Sequence, residues 1–195
     1  MPLLNETQLK SYVPLRKSLS ESARDLRRGA VKSLKSDEEF DIFLSHSYSD
    51  AKVIEGLKEL LEKYGFSVFV DWIEAPQLDR TCVTRETAGY LREAMRRSRS
   101  LLYAASDDSP NSKWIPWELG YSDALHGRVA IAPITEQPTG REEFQGQEYL
   151  GLYPYITETP NRRQNDELWI NNSATVYVRL RSWLRGYEPE KQPYP

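Results

Sequence analysis

The stretch Phe40-Asp-Ile-Phe-Leu-Ser-His-Ser47 begins with apolar side chains and ends with polar ones. A short apolar run of this kind is typical of a strand inside a parallel sheet, because helices cover both faces of such a sheet. Apolar residues at helical spacing follow this strand and predict a helix. Asp50 is placed to cap the start of that helix. A buried strand followed directly by a helix is the repeating unit of an α/β fold.

The same alternation continues along the chain. Further strands are predicted at 66–70, 100–105 and 129–134, and helices at 51–64, 87–99 and 114–126. Strands that alternate with helices need right-handed crossovers, so these strands are expected to be parallel. A fifth strand at 149–156 is expected at a sheet edge, because Pro154 cannot donate a ladder hydrogen bond. A closing helix is predicted over 174–186.

Residues 1–36 differ from the rest of the chain in charge. They contain eight Lys or Arg and three acidic residues, so they carry +5 in a chain of net charge −3. Apolar residues recur there every three or four positions, from Tyr12 and Leu15 to Leu34, which predicts a helix. We predict three parts: a helical basic N-terminal extension 1–36, a main domain 40–186 and a flexible C-terminal tail 187–195.

The basic extension has two possible roles. It either contacts nucleic acid or an anionic surface, or packs on the acidic remainder of the chain. We favour packing and do not expect nucleic acid as a partner, because no aromatic residue beyond Tyr12 interleaves with these charges.

Composition excludes several classes of protein. No apolar run approaches the roughly 20 residues of a membrane span, and no signal-peptide pattern precedes the first strand. One cysteine and two histidines leave no internal disulfide and no ordinary zinc site. A P-loop, a dinucleotide-dehydrogenase fingerprint and a Gly-x-Ser-x-Gly elbow are all absent from the sequence. We expect a cytoplasmic protein without membrane contact, metal or bound cofactor.

Polar and aromatic residues follow the predicted strands where ligands bind in an open parallel sheet. They are Ser45, His46, Ser47, Tyr48, Asp71, Trp72 and Ser109, with Trp114 and Glu118 on the helix after the third strand. Simpler explanations exist for some of them. Glu118 could serve the helix macrodipole, His46 could be an ordinary polar loop residue, and Trp72 could cap the sheet.

Four stretches in this order resemble the bacterial members of the TIR (Toll/interleukin-1 receptor) domain family. They are Phe40 to Ser47, Gly65-Phe-Ser-Val-Phe-Val-Asp71, Ser109-Pro-Asn-Ser-Lys-Trp-Ile-Pro-Trp-Glu-Leu119 and Val129-Ala-Ile-Ala-Pro-Ile134. The resemblance covers about residues 40–186. It implies a flavodoxin-like α/β fold, with a parallel five-stranded sheet and helices on both faces, plus the helical N-terminal extension.

The resemblance also implies an activity. Enzymatic TIR domains cleave the bond between nicotinamide and ribose in NAD+, which is their substrate rather than a cofactor, and the family's catalytic glutamate matches Glu118. The residues expected to bind the dinucleotide are Ser45, His46, Ser47, Tyr48, Asp71, Trp72, Ser109 and Trp114. Trp114 is expected above all to pack the helix start and so fix Glu118.

Among TIR proteins, the chain resembles the standalone type of bacterial Thoeris anti-phage defence. This resemblance implies a phage trigger, self-association through TIR surfaces, and an ADP-ribose-derived signal, cyclic or histidine-conjugated, that a separate effector detects. Two alternatives stay open: a hydrolase that depletes NAD+, and a TIR scaffold or adaptor without enzymatic activity.

Overall fold

A computed structural model describes residues 2–34, 38–46, 50–70, 85–106, 115–136, 144, 148–161 and 163–192. The strands are β1 Leu4–Asn5, β2 Ile42–His46, β3 Val68–Val70, β4 Leu101–Ser106, β5 Val129–Thr135, β6 Tyr155–Pro160, β7 Asp166–Ser173, β8 Val176–Arg179 and β9 Glu190–Lys191. The helices are α1 Glu6–Ser11, α2 Leu19–Leu34, α3 Ala51–Lys63, α4 Arg85–Arg96, α5 Ile115–His126 and α6 Leu180–Trp183. A 3₁₀ turn spans Glu148–Leu152.

Five strands form the parallel core of the sheet. They lie in the order β3-β2-β4-β5-β6, and each neighbouring pair is parallel. Numbered among themselves along the chain, these strands have the order 2-1-3-4-5, which is that of flavodoxin-like folds. The predicted fold class is therefore confirmed.

Helices cover both faces of this core. Successive side chains of a strand point to opposite faces, so Phe43 belongs to one buried cluster and its neighbours Ile42 and Leu44 belong to another. Residues of α3 complete the Leu44 cluster, whereas residues of α4 and α5 complete the Phe43 cluster. Phe43 also stacks on Phe69 of β3, with ring centroids 5.4 Å apart.

The helices begin and end at residues suited to those positions. The Asp50 side chain caps α3, where its Oδ1 accepts a hydrogen bond of 2.9 Å from the backbone N–H of Lys52. Gly65 follows α3 with a φ of +81°, and Gly127 follows α5 with a φ of +62°. Both conformations are left-handed, which glycine adopts without a steric penalty.

The fifth parallel strand lies in the interior of the sheet and not at an edge. β6 has β5 on one side and the antiparallel strand β7 on the other. Pro154 precedes β6, so its missing N–H removes no bond from the strand, and its carbonyl accepts a hydrogen bond from the Ile131 N–H at 2.8 Å. The edge position predicted from Pro154 is therefore wrong.

The closing helix predicted over 174–186 is also wrong for most of its length. Residues 176–179 form β8, and a helix follows only over Leu180–Trp183. Val176, Val178 and Leu180 are spaced by two, which is the period of a strand, and β-branched and aromatic residues favour one. Tyr177 contacts Trp169 of β7 edge to face, at 5.2 Å between centroids.

The two ends of the chain differ from their predictions as well. β1 pairs in parallel with β5 through Leu4 and Ile134, so the N-terminal extension supplies a strand to the sheet. Its helical region is divided into α1 and α2, and Leu15, expected on the apolar stripe, is 98% exposed. Residues 190–191, in the predicted flexible tail, form β9 against β8. The three-part division of the chain stays a prediction.

The extension packs on the rest of the fold, as its charge predicts. Lys10 Nζ lies 2.9 Å from Asp50 Oδ2, and Lys17 forms ion pairs with both Asp25 and Glu55. Burial lowers the pKa of Lys17, but hydrogen bonds to Asp25 and Glu55 outweigh this and raise it. These bonds fasten the basic segment to the acidic surface of α3.

Gly56 is the point where α1 comes closest to α3. A Cβ atom at Gly56 would lie 2.1 Å from the backbone oxygen of Leu9, whose side chain is fully buried. Contacts under 3.0 Å are not found for real Cβ atoms, and the obstacle here is backbone rather than a movable side chain. Only glycine therefore allows α1 to dock in this position.

We expect Gly56→Ala to lower the free energy of unfolding by about 1–3 kcal/mol, because the added methyl group must push α1 away. Helix propensity alone would make the same change stabilising by up to about 1 kcal/mol. Urea denaturation followed by circular dichroism measures the difference. Gly89→Ala in α4 is the control, since its Cβ would meet nothing within 4 Å. Equal, favourable effects of the two changes would contradict the close approach.

Candidate active site

The carboxyl end of β2 supplies the first two residues of the site. Ser45 and His46 are the last residues of the strand and lie opposite Tyr103 and Ala104 of β4. Both side chains are almost completely buried, at 1% and 4% exposure. By the alternation of the strand, Ser45 shares the face of Phe43, which α5 covers, and His46 shares the opposite face with Leu44.

Helix α5 brings Glu118 to the same end of the sheet. Ile115 and Leu119 are buried in the cluster that contains Phe43, and Glu118 lies between them in the sequence on the inner side of the helix. Its side chain is only 2% exposed. The macrodipole explanation considered for an exposed glutamate therefore does not account for Glu118, which is directed into the protein.

Ser45 and Glu118 are joined by a short hydrogen bond. The Ser45 hydroxyl donates to Glu118 Oε2, at 2.5 Å between the oxygens. An ionised carboxylate can only accept, and hydroxyl–carboxylate bonds of this length are among the stronger ones in proteins. Glutamate is rarely buried unless its carboxylate is bound in this way. The fold thus holds a carboxylate at the edge where a parallel sheet binds its ligands.

The structure brings together two of the predicted site residues, Ser45 and Glu118. His46 follows Ser45 in the sequence, but its side chain belongs to the other face of the sheet. Six others lie outside the described residues: Ser47, Tyr48, Asp71, Trp72, Ser109 and Trp114. Their contacts with a dinucleotide stay predictions, as does that of His46.

Other residues of α5 have structural roles. Trp117 and Tyr121, four residues apart on α5, stack with centroids 5.8 Å apart and pack against the Phe43 cluster. At the end of α5, burial lowers the pKa of His126, whose Nδ1 accepts a hydrogen bond from the Arg128 N–H. His126 is therefore a neutral structural residue near pH 7.

The sequence contained one signal about the site that residue spacing alone did not reveal. Ser45 ends a strand, and the resemblance predicts that it contacts the dinucleotide, but it also shares a strand face with Phe43. A helix that packs on Phe43 therefore faces Ser45 too. Recognising α5 as that helix would have predicted the pairing of Ser45 with Glu118.

Two general properties accompany this geometry. Within the described ranges, His, Cys, Asp and Glu side chains form no group of three or more that could hold a metal ion. None of the helices in those ranges has the length and apolar character that a membrane span requires.

Comparison with known proteins agrees with the fold. The TIR domain family matches residues 42–170, from the start of β2 to within β7. The chain belongs to the TIR domain family. The resemblance on which Glu118 was selected is thereby confirmed at the level of the family.

Two curated TIR relatives extend this result. The chain is 44% identical over 192 residues to the "Probable 3' cyclic ADP-D-ribose synthase ThsB'" of Bacillus cereus (strain MSX-D12), a match that covers 95% of this chain and 99% of the relative. It is 27% identical over 116 residues to the "Putative cyclic ADP-D-ribose synthase TIR2" of Cytobacillus dafuensis, covering 59% of this chain and 31% of that protein. The first match extends well beyond residues 42–170, which the TIR domain family matches.

Proposed function

We propose that this protein cleaves the bond between nicotinamide and ribose in NAD+ and converts the remainder into a cyclic ADP-ribose signal. The observation that carries the proposal is the buried Glu118 carboxylate, held by Ser45 at the carboxyl edge of a TIR sheet. The class of product is supported by the names of both relatives, "Probable 3' cyclic ADP-D-ribose synthase" and "Putative cyclic ADP-D-ribose synthase".

The first step needs a carboxylate but no general acid. In NAD+ the nicotinamide ring is cationic, so the electron pair of the broken bond neutralises it and nicotinamide leaves without a proton. Positive charge then develops on the ribose as an oxocarbenium-like transition state. Glu118 is proposed to stabilise that charge and to hold a ribose hydroxyl, with more effect in a buried site than in water.

The second step decides which product forms. In cyclisation, a hydroxyl oxygen of the same ADP-ribose bonds to the ribose carbon and loses its proton, so no water is consumed. In hydrolysis, water supplies the oxygen and linear ADP-ribose results. We propose cyclisation for this chain because of the 44% identity to a protein named for a 3' cyclic product. Conjugation to histidine is the other transfer outcome implied by the resemblance.

The main alternative from a different functional class is a scaffold protein without enzymatic activity. Burial of a carboxylate costs stability unless its hydrogen bonds compensate, so a purely structural protein gains little from Glu118 at this position. An apolar residue on the inner side of α5 would fill the same space at lower cost. The buried carboxylate therefore favours an enzyme.

The biological setting follows from the same resemblance. We propose a cytoplasmic protein of Thoeris-type anti-phage defence, which a phage trigger switches on and which self-associates through TIR surfaces. Its product would be detected by a separate effector protein.

We expect Glu118→Gln to reduce NAD+ cleavage by at least about 100-fold, because the amide cannot stabilise positive charge on the ribose. Released nicotinamide, quantified by liquid chromatography, measures the effect. Glu62→Gln is the control, since Glu62 lies on the surface of α3 in an ion pair with Lys58. Both variants should keep the native circular dichroism spectrum. Nicotinamide release by a folded Glu118→Gln protein at the native rate would contradict the assignment.

Mass analysis of the product distinguishes the proposed activities. The purified protein is incubated with NAD+ at high protein concentration, and separately in a lysate of phage-infected cells. We expect nicotinamide and a product one water lighter than ADP-ribose. Linear ADP-ribose alone would identify a hydrolase, and a histidine adduct would identify a conjugating enzyme. No release of nicotinamide in either condition would favour the scaffold.

We also expect the specific activity to rise with protein concentration, because self-association is proposed to complete the site. Rates are measured across a dilution series, and the mass of the assembly is followed by light scattering in the same samples. Full specific activity in a sample that is monomeric by scattering would contradict a role for self-association.

A further inference from the structure

The hydroxyl of Ser45 points to a role that neither the family match nor the relatives assign. We infer that Ser45 is a positioning residue: it holds one oxygen of the Glu118 carboxylate and so fixes the orientation in which that carboxylate faces the ribose of NAD+. This inference rests on the proposed function. It differs from the direct contact with the dinucleotide that the resemblance predicts for Ser45.

Ser45 and Glu118 lie on different elements, so the hydrogen bond between them restrains a helix residue from the strand. Ser45 is fixed by the β2–β4 ladder, where it lies opposite Tyr103. Glu118 is carried by α5, which Ile115 and Leu119 anchor in the core. A glutamate side chain has three rotatable bonds, so a helix alone does not fix the carboxylate. A donor on the rigid strand restricts it to one orientation, and such restriction lowers the barrier to reaction.

The same bond favours the charged form of the carboxylate. A hydrogen bond donated to a carboxylate stabilises its ionised form, and the Ser45 hydroxyl donates such a bond at 2.5 Å. Only the charged form stabilises an oxocarbenium-like transition state.

A direct role for Ser45 in binding NAD+ fits the geometry less well. A hydroxyl has a single proton, and Ser45 donates it to Glu118. Loss of the hydroxyl should therefore change the rate of bond cleavage and not the affinity for the substrate.

Ser100 offers a closely matched control. It is also 1% exposed, and its hydroxyl donates to the backbone oxygen of Asp41 at 2.8 Å. It precedes β4 and so lies at the amino end of the sheet, opposite to the end that holds Glu118. Ser100→Ala removes the same atom as Ser45→Ala from an equally buried place, with a similar expected loss of stability.

We expect Ser45→Ala to lower kcat about 10- to 100-fold with little change in KM. The acid limb of its pH–rate profile should move to higher pH, because the carboxylate has lost a donor. Ser45→Thr keeps the hydroxyl and should restore most of kcat and the native profile. Ser100→Ala should leave kcat, KM and the profile unchanged. Steady-state rates of nicotinamide release, measured between pH 4 and 9, provide all these values. This range of about five units includes ordinary carboxyl titration.

Two results would overturn the inference. A raised KM with unchanged kcat in Ser45→Ala would assign Ser45 to the substrate. An equal fall of kcat in Ser100→Ala would attribute the loss to stability alone. If Ser45→Ala does not fold, Ser45→Cys, with a weaker donor of similar size, should give a kcat between those of the native protein and Glu118→Gln. A native kcat in Ser45→Cys would also reject the role.

A second measurement separates this inference from the proposed function. Glutamate carboxyl carbons are labelled with ¹³C, and the Glu118 signal is assigned by its loss in Glu118→Gln. Its titration should move to higher pH in Ser45→Ala and stay in place in Ser100→Ala, whether or not the protein cleaves NAD+. An unchanged titration in Ser45→Ala would reject the role of Ser45, whereas a shifted titration in a protein without activity would reject only the proposed function.

Discussion

The parallel pairing of β2 with β3 and β4 is the constraint on which the rest of the structure depends. All five residues of β2 are buried, so the strand needs a helix layer on each face as well as a strand on each side. α3 covers one face, and α4 and α5 cover the other. Once these layers are in place, the carboxyl end of β2 and the inner side of α5 lie together. The position of the Ser45–Glu118 bond is thus a consequence of the packing around one strand.

The parallel core was predictable because each of its elements carries its own local signal. Apolar runs identified β2 to β5, and Asp50 identified the start of α3. These local signals fail where the apolar residues of a short segment fit both the period of a helix and the period of a strand. Residues 176–184 contain apolar positions that suit a helix, but the step of two from Val176 to Val178 suits a strand, and pairing with β7 decides between them. Such long-range pairing is not encoded in the segment itself.

The candidate site was predictable in outline for a different reason. The topology of a parallel sheet determines which ends of which strands meet, so the location of Ser45, His46 and Glu118 followed from element order alone. The hydrogen bond between Ser45 and Glu118 did not follow from it, because it depends on which face of the strand each helix covers. The extension was misjudged for a similar reason: nothing in residues 2–5 indicates that β5, far along the chain, is their partner.

The pairing of β1 with β5 also affects the order in which the protein can fold. The Thr135 hydroxyl donates to the Leu4 backbone oxygen across 131 positions of sequence. On the ribosome, the first strand therefore emerges long before its partner has been synthesised. Contacts of such separation form late and slowly, because a long loop must close first. The β1 segment, with Leu4, must remain unpaired until β5 is available. A nascent chain of this protein is thus prone to aggregation through the unpaired β1 segment.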